Sequence, residues 1–315
     1  ADASLTNGAD YNTGVGGSAL GALTSGYSNV AVGFQALVTN TDGFQNTAIG
    51  TSALYYNLGT DNNTAVGDQA GMYTTGASNT YIGQSAGKGA SGAEANNVAV
   101  GSTALLDITT GSQNVALGYR ALPNMTSGDF NIGIGIDALF TETVGNASTA
   151  VGIAALYTQA VGSDVHTFNT GIGYQAGYTN STGTGNTWLG YSAGYGSSSG
   201  SNSNNVGVGL YALYTVTTGS GNVAIGKSAA DSLVDGNYNV NIGLSAGHHM
   251  TDAGNNVIIG NAAGSSDVNF TTGDQCVLIG SGADVSTGDA QNQTAIGYDC
   301  NAVGNNSVTL GNASV

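Results

Sequence analysis

A five-residue motif of the form Asn-Thr/Val-Ala-Val/Ile-Gly returns along the whole chain, and no other feature constrains the fold as strongly. It reads NTAIG at Asn46 to Gly50, NTAVG at Asn63 to Gly67, NVAVG at Asn97 to Gly101 and NVAIG at Asn222 to Gly226, with looser copies between. The closing glycine falls at Gly16, Gly33, Gly50, Gly67, Gly83, Gly101, Gly118, Gly135, Gly152, Gly173, Gly190, Gly209, Gly226, Gly243, Gly260, Gly280, Gly297 and Gly311. Eleven of the seventeen intervals are 17 residues, and the others are 16, 18, 21, 19, 20 and 14. The long ones place insertions near Val161 to His166, Ser197 to Ser203 and Ser265 to Phe270. A short fixed period marks a solenoid, in which each repeat buries its apolar face only by stacking on its neighbours.

Three positions within the repeat carry the structural argument. The residue before the glycine is always Val, Ile or Leu, and the residue two earlier is usually Thr or Val. This period-two alternation predicts a short strand with one apolar face, and that face is expected to point into the core. Three residues after the glycine stands Ala in sixteen of eighteen copies, with Cys300 and Ser314 as the small exceptions. A site so limited in volume predicts packing against another backbone, and Cys300 reads as a small buried thiol. A second glycine precedes the closing one by seven residues, as at Gly26, Gly43, Gly76, Gly111, Gly128, Gly145, Gly183, Gly219, Gly236, Gly273 and Gly304. Beside Ser, Thr and Asn it predicts a turn with positive φ.

One repeat then reads as strand, turn, second short strand, turn. The expected fold is all-β: one continuous parallel β-solenoid, a narrow two-sided β-roll of about 18 rungs, over residues 1–315. Rungs about 4.8 Å apart would make a rod about 85 Å long. Its core is expected to be thin and built of Val, Ile, Leu and Ala. Small residues over a whole face invite a second chain, so a homotrimer is expected.

Composition supports an ordered repeat. Gly numbers 53 but Pro only 1, which excludes collagen. The charged fraction of 7% is far below the roughly 25% of ordinary domains, and disorder requires high charge. The formal charge of −16, from Lys+Arg 3 against Asp+Glu 19, argues against nucleic acid and anionic membranes as partners. No run of eighteen apolar residues and no basic-then-apolar leader is present, so no membrane insertion and no retained signal peptide are expected.

The pentad and the small residue three places on resemble the head repeat of trimeric autotransporter adhesins, with a motif of the type NSVAIG-x-x-A. The copy Asn306 to Gly311 matches it most closely, and its 14-residue spacing from Gly297 is the one typical of that family. The resemblance implies a left-handed parallel β-roll in a homotrimer. Longer copies, such as NTAVGDQAG at Asn63 to Gly71 and NVALGYRAL at Asn114 to Leu122, are also similar to bacteriophage tail-fibre shafts. There, a run like Asn305 to Val315 often leads into a self-cleaving chaperone domain.

The residues that could carry chemistry are sparse. Glycan hydrolysis needs two placed carboxylates, whereas the acids here are scattered; Asp284 and Asp289 read as solvated turn residues. The GGxGxD-like calcium nonapeptide is absent, which leaves no cofactor expected beyond weak calcium at scattered Asp and carbonyl sites. His248 and His249 are adjacent, and on a strand they would point to opposite faces. His166 lies in an insertion without a nameable partner, and no nucleophile, base and acid can be grouped, so no enzyme is expected. Cys276 replaces the pentad's opening Asn while Cys300 follows a glycine by three, so no disulfide is expected.

Five residues after the closing glycine, five consecutive repeats carry Phe140, Tyr157, Tyr178, Tyr195 and Tyr214. In-register stacking predicts a ladder along one edge, either scaffold or a strip that stacks on sugar rings. These readings point to an extracellular fibre or stalk for host or surface attachment, on a virion tail or a bacterial surface, with a cell-surface glycan or receptor as partner. The alternatives are a self-assembling extracellular filament and an ice-binding solenoid; Thr pairs such as Thr74-Thr75 and Thr217-Thr218 read as turn residues, which weakens the latter.

Overall fold

Every copy of the pentad forms one short strand in the computed structural model, which describes residues 10–90, 92–163, 165–197 and 200–312. Among the described residues the chain is all-β, a parallel β-solenoid with no helix. Ser314 lies outside the described residues, as do Asp164 and residues 198–199 of two insertions and the end of the run Asn305 to Val315.

The chain divides into two compact units. The first comprises Ala1–Ile153 and Ala160–His166. It holds β1 (Thr13–Val15), β2 (Val30–Val32), β3 (Thr47–Ile49), β4 (Thr64–Val66), β5 (Thr80–Ile82), β6 (Val98–Val100), β7 (Val115–Leu117), β8 (Ile132–Ile134) and β9 (Thr149–Val151). Successive strands pair in parallel and in register, with Ala31 opposite Ala48 and Val98 opposite Val115. The second unit comprises Ala154–Gln159 and Thr167–Val315. Its strands are β10 (Thr170–Ile172), β11 (Thr187–Leu189), β12 (Val206–Val208), β13 (Val223–Ile225), β14 (Val240–Ile242), β15 (Val257–Ile259), β16 (Val277–Ile279), β17 (Gln293–Ile296) and β18 (Ser307–Leu310). They pair the same way, with Thr170 opposite Thr187 and Val223 opposite Val240.

The expected second strand does not form. The closing glycine is followed instead by successive β-turns, closed by Ala19 N–H to Gly16 O at 3.3 Å, Gly21 N–H to Ser18 O at 3.2 Å and Leu23 N–H to Leu20 O at 3.2 Å. Positive φ then falls on the second and fourth residues after the glycine, as at Ser18 (59°), Leu20 (55°), Gln35 (59°) and Leu37 (49°). Turns with φ > 0 at the third residue normally take Gly or Asn. A leucine in the left-handed region costs about 1–2 kcal/mol. Burying its side chain returns about 1.5–3 kcal/mol, and Leu20, Leu37, Leu54, Leu105 and Leu122 are all fully or almost fully buried.

The closing glycines are required twice over. From Gly16 to Gly297 they hold φ between +128° and +142°, a region closed to side chains. A Cβ on Gly190 would also stand 2.6 Å from the Gly209 carbonyl oxygen of the next coil. The second glycine set departs from expectation: only Gly304 among them has positive φ, at 158°. Contact between coils selects glycine there, because a Cβ on Gly111 would meet the Gly128 carbonyl oxygen at 2.5 Å.

The core also differs from expectation. Alternation is present, but the face turned inward is the middle strand residue, usually Ala, as in Ala31, Ala48, Ala65, Ala99, Ala116 and Ala224, all fully buried. The Val, Ile or Leu before each glycine faces outward. Inside, the middle Ala meets the small residue three places after the glycine, which is buried as expected at Ala36, Ala53 and Cys300, and the leucine that follows it. So narrow a coil has room for one large side chain at this level. Where the strand supplies it, the leucine becomes glycine: Tyr81 goes with Gly87 and Gly71, and Trp188 with Gly194 and Gly177. A Cβ on Gly177 would stand 2.6 Å from Trp188 Cδ1.

The pentad's opening asparagines form the other half of the core. Asn29, Asn46, Asn63, Asn97, Asn114 and Asn222 are fully buried. Each Oδ1 accepts the next coil's asparagine N–H, as from Asn63 N–H to Asn46 Oδ1 at 2.9 Å. Each Nδ2 donates to a carbonyl at the foot of the next coil, as from Asn114 to Gly128 O at 2.7 Å. This column closes backbone groups that the strand-to-turn corner would otherwise leave unpaired. Leu23, Ile108, Met125, Val216 and Met250 fill the space beside it, and Phe270, supplied by an insertion, is buried as well.

Candidate functional site

The most extensive candidate surface is the outward face of the strands. In both units the residue before each closing glycine and the residue two earlier are Val, Ile, Leu or Thr in every copy, and none is charged. Ile49 is 40% exposed, Leu117 44%, Leu189 45% and Ile225 39%. The residue after the glycine widens the strip, with Phe34, Ile136, Ile153 and Leu244 exposed. A chain with a formal charge of −16 thus carries uncharged aliphatic columns along each unit. Contiguous apolar surface of this extent marks an interaction face.

The aromatic ladder forms in the second unit. Tyr157 stacks on Tyr178 with ring centroids 5.0 Å apart, Tyr178 on Tyr195 at 5.1 Å, and Tyr195 on Tyr214 at 5.1 Å. Interplanar angles of 6° to 14° mean that neighbouring rings cover both faces of Tyr178 and Tyr195. The column therefore offers a ligand ring edges and hydroxyls. Phe140 belongs to the first unit, where the Arg120 guanidinium lies 5.0 Å from its ring centroid. Three tyrosines that the sequence reading did not single out extend the ladder sideways. Tyr211 stands edge-on to Tyr214 at 5.1 Å and to Tyr191 at 5.6 Å, and Tyr191 stacks on Tyr174 at 5.1 Å.

The same turn position carries Asp231, His248 and Ser265 on later coils. Asp231 Oδ1 contacts His248 Nδ1, and the His248 backbone N–H donates to Ser265 Oγ at 2.9 Å. Burial pushes the Asp231 carboxyl above its usual range, and the imidazole opposes the shift. His248 and His249 lie in the turn run and not in a strand, so strand alternation does not separate them; their ring centroids are 4.7 Å apart. His166 pairs through its backbone with Asn146 in the first unit.

Asp284 is fully buried, contrary to the solvated-turn expectation. Its Oδ2 accepts N–H groups of Ser266, Asp267 and Val268 at 3.1, 2.8 and 3.0 Å, and its Oδ1 accepts Val285 N–H at 2.8 Å, so it ties down the third insertion. Cys276 and Cys300 are buried free thiols, and burial raises the Cys276 pKa. A further polar group lies inside the first unit. Thr74, Tyr81 and Glu94 are buried together, and Thr74 Oγ1, Tyr81 Oη and Glu94 Oε2 lack hydrogen-bond partners. Burial pushes the Glu94 carboxyl up to about 8 and the Tyr81 phenol well above its ordinary value, to which the Glu94 charge adds. No group of three or more His, Cys, Asp or Glu among the described residues could hold a metal ion.

No family model matches the chain, and no curated protein matches it.

Proposed function

We propose that this chain is a structural element of an extracellular attachment fibre or stalk, on a virion or a bacterial surface, acting as a homotrimer whose aliphatic sheet faces meet around a common axis. The outward columns of Val, Ile and Leu carry this reading. A parallel sheet is normally covered on both faces, and here the inward face of β2 to β17 is buried in the core while the outward face is half-buried or exposed. A second and third copy supply a surface of the same period and the same uncharged chemistry. The resemblance of the pentad to adhesin head repeats adds left-handed coiling. The role is mechanical and adhesive instead of catalytic, and a surface glycan is the partner class assigned to the tyrosine column, met by its edges and hydroxyls. Electron micrographs test the reading directly: rods of one fixed length support it, and open-ended filaments of variable length favour a self-assembling filament. Tyr178→Ser with Tyr195→Ser should abolish binding to target cells with the fold retained; unchanged binding removes the glycan assignment.

One observation favours a second reading. Thr13, Thr47, Thr64 and Thr80 in the first unit, and Thr170 and Thr187 in the second, stand on this same outward face, in strands that pair in register. Ordered Thr among aliphatic residues is a surface on which ice-like water can align. A thermal hysteresis assay that returns zero removes ice adsorption.

A further inference from the structure

We propose that the column Tyr157, Tyr178, Tyr195 and Tyr214 is a site of oxidative modification, at which phenols of adjacent coils couple into dityrosine within one chain. Three geometric facts lead there. The rings are neighbours at 5.0, 5.1 and 5.1 Å and nearly parallel, so successive phenols are held face to face along the column. The backbone holds them in that register: Thr158 N–H donates to Tyr178 O at 3.0 Å, Thr179 N–H to Tyr195 O at 2.9 Å and Gly196 N–H to Tyr214 O at 2.8 Å. The rings are partly exposed, so an oxidant reaches them from water.

The chemistry follows from that placement. One-electron oxidation of a phenol, with loss of its O–H proton to water, leaves a phenoxyl radical with spin density on the ring carbons ortho to oxygen. Two radicals on adjacent coils form one carbon–carbon bond between ortho positions, and each ortho C–H proton then moves to the neighbouring oxygen and restores the ring. Two tyrosines lose two electrons and two protons in all. Hydrogen peroxide, acting through a haem peroxidase, accepts them and leaves as two water molecules. Holding the partners in contact makes the coupling effectively unimolecular, which favours it over coupling between molecules by a large effective concentration. Tyr211, Tyr191 and Tyr174 continue the ring contacts, so a hole created on any of the seven can migrate into the column. The product is a covalent staple between coils in the second unit.

The chain contains its own comparisons. Tyr56 and Tyr73 in the first unit stack at 5.0 Å and 9° and should couple likewise. Tyr27 and Phe44 stack at 4.9 Å and 1° but share only one phenol, so they cannot form dityrosine. Tyr238 and Tyr298 are each 68% exposed, more than any ring of the column, and make no ring contact among the described residues. Exposure alone would select those two and Tyr11, which is 87% exposed, and join separate molecules.

The experiment treats the folded full-length chain with limiting hydrogen peroxide and a haem peroxidase, then reads dityrosine fluorescence and peptic peptides by mass spectrometry. The expected result is links Tyr157–Tyr178, Tyr178–Tyr195 or Tyr195–Tyr214, each two hydrogens lighter than the separate peptides, together with Tyr56–Tyr73. Tyr178→Phe with Tyr195→Phe keeps the stack, and should remove every column link while Tyr56–Tyr73 persists. Links only at Tyr11, Tyr238 and Tyr298, or equal column fluorescence in the double variant, would overturn the proposal. A urea-unfolded sample should lose the selectivity, and retention of it there counts against the geometric argument.

Discussion

Replacing Asn222 by Ala probes the asparagine column where its contacts are completely defined. In the native chain Asn239 N–H and Nδ2 both donate to Asn222 Oδ1, at 2.9 and 3.0 Å. Asn222 Nδ2 donates to Gly236 O at 2.8 Å and approaches Asn205 Oδ1 at 3.2 Å. Alanine removes all four contacts, but two groups keep other partners: Asn239 Nδ2 still reaches Ala253 O at 2.7 Å, and Asn205 Oδ1 still accepts Asn222 N–H at 2.8 Å. The Asn239 N–H and the Gly236 carbonyl lose the partners named. Each stranded buried group costs about 1–3 kcal/mol, so the substitution should destabilise its coil by about 2–6 kcal/mol. Stacked repeats unfold by neighbourhood and not in one step, so the suitable assay is hydrogen exchange resolved to peptides. Amides of Val223 and Val240 should lose protection by roughly 1.5 to 4 orders of magnitude. The amide of Val98 in the first unit should change little. A loss below tenfold, or equal loss in both units, refutes the idea that the column holds its own corner of the coil.

Trp188→Ala should cost about 3–5 kcal/mol through the cavity left, and adding Gly194→Leu should recover part of it by recreating the Ala and Leu pairing of Ala31 and Leu37; denaturation of single and double variants measures the recovery. Glu94 sets a pH dependence. With a carboxyl near 4.5 when unfolded and about 8 when folded, its contribution is intact below pH 4.5, falls as pH rises, and is lost by about pH 8. The loss amounts to a few kcal/mol, so Glu94→Gln should match the parent at pH 4 and exceed it in stability at pH 9; a constant difference across that range contradicts the assignment. Asp284→Ala should free the Ser266 to Val268 backbone, cost several kcal/mol given four accepted N–H groups, and open that insertion first to proteolysis.

The period, the strands and the buried small residue at Ala36 or Ala53 were all legible in the sequence, because glycine spacing and residue volume are local signals. The choice of inner face was not. In a triplet such as Thr47-Ala48-Ile49 both faces are apolar, and a shift of one residue exchanges them; bulk suggested Ile49 for the interior, whereas the width of the coil admits only Ala48. The signal that could have decided it lies outside the strand, where Leu54 recurs with Ala48 but Gly87 with Tyr81. A leucine with positive φ is also invisible to turn rules that look for glycine, and so the turn run at Ser52 and Leu54 read as a second strand. Of the candidate site, the ladder Tyr157 to Tyr214 was visible as a column, while Tyr174, Tyr191 and Tyr211 join it only through the fold of the turn.

The mass of the full chain in solution tests the central claim most directly. Nine of the eighteen aliphatic residues before a closing glycine are 38% to 71% exposed, Ile225 among them, and the other nine, such as Ile242, are half-buried. Covering one of the exposed set is therefore worth roughly 0.6–1.2 kcal/mol, repeated on about every second coil. Sedimentation equilibrium at micromolar concentration should give three times the chain mass, and Ile225→Asp with Ile242→Asp should lower it toward a single chain. A wild-type mass equal to one chain would mean that the outward columns stand in water, and would contradict the account.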